Sequence, residues 1–184
     1  MKIKVLTSAV LLSALTACGG AHNMDSDVTY EGPEKAIAYL HPTDGNEGMQ
    51  GYVVFQRADD GMDIMAHIEG LPGGSEHGFH VHEYGDCSAA DGTSAGGHFN
   101  PAQMPHGGPA YDERHVGDLG NVRADENGMA HHEAIDPHLT MSGENSILGR
   151  AVVVHAQQDD MSSQPTGNAG ARLLCGVIGV ANPG

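Results

Sequence analysis

The stretch Gly78-Phe79-His80-Val81-His82-Glu83-Tyr84-Gly85-Asp86 sets two imidazoles two residues apart in a strand-like run. In an extended strand alternate side chains share a face, so His80 and His82 project together and can grip one ion. Val81 then points to the opposite face, where a sandwich keeps its core. Moving outward along the chain come His98-Phe99-Asn100-Pro101, His106-Gly107-Gly108-Pro109, Arg114-His115-Val116-Gly117-Asp118 and Val152-Val153-Val154-His155. The set totals six imidazoles and one carboxylate. Imidazole suits copper and zinc, and one carboxylate can complete a closed zinc sphere, so these donors favour those two metals over Mg²⁺ or Ca²⁺. A lone His-x-His pair is a weak signal, because histidine is only intermediate in burial. The reading rests on the whole ordered set.

Around these motifs, short segments rich in Val, Ile and Tyr alternate with Gly/Asn/Asp turns, and no long amphipathic helix stands out. Strands are predicted over 35–40, 51–57, 63–69, 78–83, 120–124, 129–135, 147–155 and 175–180. Eight strands imply an all-β fold, an antiparallel Greek-key sandwich or flattened barrel with two long functional loops. The first loop, 84–119, carries His98, His106, His115 and Asp118, and a connection of that length usually signals function. The second runs over 159–172.

Three long motifs carry a resemblance to a known family: 78–88, the run GGPAYDERHVGDLGN over 107–121, and GNAGARLLCGVIG over 167–179. They resemble the copper/zinc superoxide dismutases, over roughly residues 35–180. The resemblance implies a β-sandwich that dismutes superoxide to O₂ and H₂O₂ by alternating reduction and oxidation of copper beside a structural zinc. It implies that His80, His82, His98 and His155 bind copper, one per subunit, and that His98, His106, His115 and Asp118 bind zinc, one per subunit. His98 would bridge the two ions and take up a proton during turnover. Asp159 would link the outer nitrogens of His80 and His106, Arg172 would guide the anion, and Thr166 would lie on the channel rim. The chain departs from cytosolic eukaryotic members in the second loop, where Met161-Ser162-Ser163-Gln164-Pro165 offers no basic residue to shape the approach field.

At 184 residues the chain is long enough for one full core with short appendages. Residues 1–17 read as a lipoprotein signal peptide: Lys2 and Lys4 precede a short apolar run, and Leu15-Thr16-Ala17-Cys18 resembles a bacterial lipobox. Cleavage would leave Cys18 lipidated, 18–33 as a flexible tether and 34–184 as the metal-binding domain. Gly19 beside Cys18 points to a periplasmic location on the outer membrane of a bacterial envelope. The remaining Cys87 and Cys175 form an even pair in an exported chain, which is disulfide context; two buried thiols are the other reading. A bridge would contribute about 4 kcal/mol on the chain-entropy model.

The formal charge of −16 becomes −18 once Lys2 and Lys4 are removed, which argues against nucleic acid as a partner. Superoxide is itself an anion, so its attraction must be local, from the two metal ions and Arg172. His22, His41, His67, His77, His131, His132 and His138 lie outside the motif and read as solvated or strand-face residues; His131 and His132 would face opposite ways. The rival reading is a non-catalytic copper/zinc-binding envelope lipoprotein. Loss of a ligand, of Asp159 or of Arg172 would favour it, and none is lost. A homodimer is compatible with the sequence, which selects no interface.

Overall fold

The computed structural model describes residues 32–182. The leader, Cys18, His22 and the tether up to residue 31 lie outside the described residues. Among the described residues nine strands are present: β1 Lys35–Pro42, β2 Gln50–Ala58, β3 Gly61–Glu69, β4 Glu76–His82, β5 Asp118–Arg123, β6 Ala130–Asp136, β7 Ala151–His155, β8 Arg172–Val177 and β9 Gly179–Val180. They form one antiparallel sheet in the order β5-β4-β7-β8-β1-β2-β3-β6, with β9 paired to β1. An Ala124–Ala130 bridge joins the two end strands, so the sheet nearly closes into a barrel. The contacts of β3 with β6, β4 with β7 and β1 with β8 are the Greek-key crossovers.

The two halves of the barrel differ in burial. In β1 and β3 alternate residues are buried, Ala36, Ala38 and Leu40 in one and Met62, Ile64, Ala66 and Ile68 in the other, with the outer face in solvent. In β4 and β7 nearly every residue is buried, because the long loops cover their outer face. That covered face is where polar ligands can be held away from water.

Two predicted boundaries need correction. Residues 147–150 do not extend β7: Ile147 accepts a bond from Arg150 N in a turn, and Gly149 has φ 74°. Ile147 is fully buried by loop packing, which reads in the sequence like a strand residue. The last strand starts earlier, at Arg172, and the buried Ile178 splits it into β8 and β9.

Candidate metal centre

Register places the ligands. Phe79 pairs with Val154, His80 with Val153, Val81 with Val152 and His82 with Ala151. Alternation sends Phe79, Val81, Val152 and Val154 into the barrel, and His80, His82, Val153 and His155 to the face beneath the loops. The long loop docks there by its backbone: His98 bridges to His82, Phe99 N donates to Val81 O, and Val81 N donates to Gly117 O. At Gly117 a Cβ would fall 2.2 Å from Val81 O, so only glycine allows this approach.

Two buried groups of four result. His80, His82, His98 and His155 form one; His98, His106, His115 and Asp118 form the other, with one donor atom per residue lying within 4.8 Å of the rest of its group. His98 belongs to both. Among the described residues these are the only groups of three or more that could hold an ion.

The outer hydrogen bonds decide which nitrogen each ring turns inward. His82 Nδ1 donates to Gly96 O at 3.0 Å and His155 Nδ1 to Gly170 O at 3.1 Å, leaving their Nε2 lone pairs 3.2 Å apart. His80 and His106 donate from Nε2 to the two oxygens of Asp159, at 2.8 and 2.9 Å, and so turn Nδ1 inward. His80 Nδ1 and His98 Nε2 are buried without a hydrogen-bond partner, while His106 Nδ1 faces Asp118 Oδ2 at 3.0 Å. Orphaned buried nitrogens of this kind are costly unless something coordinates them, and their chemistry fits copper and zinc. On the second side His98 Nδ1 lies 2.7 Å from Asp118 Oδ1 and 3.4 Å from His115 Nδ1. Asp118 Oδ2 accepts from the backbone N–H of Gly107 and His115.

Electrostatics agree. Burial holds His98 down to about 4 and His155 to about 3, and also lowers His80 and His82, so these rings are neutral donors near pH 7. At His106 burial acts the same way, but Asp118 and Asp159 outweigh it and raise the ring to about 9. Burial would raise Asp118 and Asp159 too; hydrogen bonds from the histidines, His106 first, hold both well below the usual carboxylate range.

Arg172 opens β8 opposite His155, across a bulge. Its half-buried guanidinium donates to the carbonyls of Gly92 and Gly96, so Gly96 O receives both Arg172 and His82 Nδ1. Cys87 and Cys175 are bonded, with Cα atoms 5.8 Å apart, and Cys175 packs with Ala95, Ala151 and Val153 beneath the loop that supplies Gly96. Thr166 is half-buried, just before Gly167. At Gly167 (φ 64°) a Cβ would lie 1.8 Å from Asp159 Oδ1, so glycine leaves the room in which Asp159 reaches His106.

Every ligand residue anticipated from the sequence lies in one of the two groups, and three supporting residues have no sequence signal. Asn121 exchanges hydrogen bonds with the Asp159 backbone, Gln164 brackets the backbone of His106, and Arg114 donates to the carbonyls of His115, Val116 and Asp118. Their partners are 38, 58 and up to 4 residues away, and nothing in residue type or spacing identifies them. Of the two readings given to the histidines outside the motif, His77 takes the strand-face one, in β4. It is buried, not solvated, and its Nδ1 donates to His155 O at 2.7 Å. His132 is half-buried and meets Phe79 edge-on at 5.6 Å, while His41 and His138 are exposed.

A family model described as "Copper/zinc superoxide dismutase (SODC)" matches residues 49–178. Superoxide dismutase [Cu-Zn] A of Xenopus laevis is 49% identical over 152 residues, covering 79% of this chain and 97% of that protein. The extracellular superoxide dismutase [Cu-Zn] of Brugia pahangi is 45% identical, covering 79% of this chain and 76% of its own. Among solved structures, the clock protein EA4 superposes with a TM-score of 0.76 at 44% identity, over 83% of this chain and 98% of that one. A chain whose two donor sets share one histidine, matched over most of its length by this family model and by relatives approaching half identity, belongs to the copper/zinc superoxide dismutase family.

Proposed function

We propose that His80, His82, His98 and His155 hold copper, that His98, His106, His115 and Asp118 hold zinc, and that Arg172 receives the substrate in the dismutation this chain performs. The protein is a superoxide dismutase, converting two superoxide anions and two protons to O₂ and H₂O₂ with copper and zinc as its metals. The observation that carries the assignment is His98, whose two ring nitrogens face the two different donor groups. When bound, copper supplies a one-electron couple that zinc lacks, and zinc ties the long loop to the barrel.

The remaining chemistry belongs to the side chains. His98 Nε2, buried and otherwise unpartnered, can hold a proton between half-reactions and release it to the reduced substrate. Asp159 fixes His80 and His106 in the tautomers the site requires. Arg172 offers a charge held in place by two carbonyls, which suits a small anion. His155→Ala should abolish turnover while zinc content and fold persist. Equal loss of zinc and of folded protein would contradict the separation of roles.

The leader, the tether and the domain from residue 34 belong to the same proposal, with Cys18 as the lipid attachment point and the bacterial periplasm, on the outer membrane, as the location. The lipobox-like run supports it, and the Cys87–Cys175 disulfide fits an oxidising compartment. The Brugia pahangi relative is named as extracellular. Among the described residues no helix is long and apolar enough to cross a membrane. Cys18→Ser should move the protein from membrane to soluble fractions, and unchanged partitioning would end this part of the proposal. A homodimer is compatible with this proposal, and sedimentation of the metal-loaded chain tests it.

A further inference from the structure

On the solvent face of the barrel, far in register from the ligand strands, His67 of β3 sits directly opposite His131 of β6. Their Nδ1 atoms are 3.3 Å apart while the ring centres are 4.6 Å apart, so the two nitrogen edges turn toward each other. This spacing falls between the two donor spacings inside the buried centre, 3.2 Å for His82 with His155 and 3.4 Å for His98 with His115. At a zinc–nitrogen length of about 2.0–2.1 Å, a 3.3 Å bite subtends about 105–110° at the metal, which is the tetrahedral value.

His67 is also oriented as metal-ligating histidines are. Its Nε2 donates to Glu69 Oε1 at 2.9 Å, which fixes the tautomer and leaves Nδ1 as the lone-pair nitrogen facing His131. Tyr52 stacks on the same ring at 5.5 Å, limiting its rotation. The His67 side chain is 22% exposed and His131 is exposed, so an ion can reach the pair from solvent and two coordination positions stay open to water.

We propose that His67 and His131, with Glu69 orienting the first ring, form a third metal site: an exchangeable two-imidazole surface site for Zn²⁺, Cu²⁺ or Ni²⁺. It is separate from the buried centre, and its occupancy does not depend on how copper and zinc are shared there. The donor class, imidazole with open water positions, suits borderline divalent transition ions over Ca²⁺ or Mg²⁺.

The test is calorimetric titration of the copper- and zinc-loaded full chain with zinc, followed by the His131→Ala, His67→Ala, Glu69→Gln and His138→Ala variants. One additional ion per chain is expected, absent in His131→Ala and His67→Ala and unaffected by His138→Ala. Glu69→Gln should weaken it about tenfold, through loss of the orienting acceptor. Unchanged dismutase activity in all four variants would show that the fold and the buried centre are intact. Absence of additional binding up to about 1 mM zinc, or an additional ion that survives His131→Ala, would overturn the site.

Discussion

Asp159 is the residue through which the two donor groups sense each other, because its two oxygens accept from a ring of each group. An amide in its place can accept from one ring but presents an N–H₂ to the other. Asp159→Asn should therefore weaken retention of both metals, by about 10–100-fold, as measured by competition with a chelator. Loss confined to one metal would mean that the shared carboxylate does not couple them. Arg172 acts differently, since its guanidinium is anchored to Gly92 and Gly96 and ligates nothing. Arg172→Ala should slow turnover about 10- to 100-fold at low ionic strength with copper content unchanged. A fall in copper content would assign Arg172 to the scaffold of the site.

At the scale of elements, the barrel sets the ligand geometry and the loops seal it. Arg114 fastens the long loop to the end of β6 through the buried Asp136 carboxylate, which also caps the backbone N–H groups of His138 and Leu139. Removing one member of such a buried pair leaves the other uncompensated. Arg114→Met should cost about 3–5 kcal/mol in urea unfolding and should reduce zinc retention. A cost below about 1 kcal/mol would mean that the loop is fastened elsewhere. The ligand elements were legible in the sequence because a strand enforces period two, which puts His80 and His82 on one face whatever surrounds them. Ile147 and His77 were not. An apolar residue buried by a loop carries no period, and a histidine buried by bonding to a neighbouring carbonyl is the same letter as one in solvent. Arg114 was visible within a motif, but its partner Asp136 is 22 residues away and only the tertiary structure pairs them.

The whole molecule carries a formal charge of −16 around a site that must admit an anion, so the attraction has to come from the centre itself and Arg172. The buried rings also give the metal-free fold a pH dependence. His98 at about 4 and His155 at about 3 lie below the ordinary histidine value of 6.5, because burial disfavours their charged forms. The unfolded chain therefore binds more protons than the fold between those values. Stability of the metal-free protein should fall as the pH drops from about 6.5 toward 3, as followed by thermal unfolding. A flat profile across that window would contradict the buried, neutral rings. The central claim, that one pair of donor sets sharing His98 performs superoxide dismutation, is tested most directly by measuring turnover of the zinc-loaded protein as copper is added in sub-stoichiometric steps. Turnover should rise in proportion to copper and level off at one copper and one zinc per chain. Full copper occupancy of the four-histidine site without turnover would contradict it.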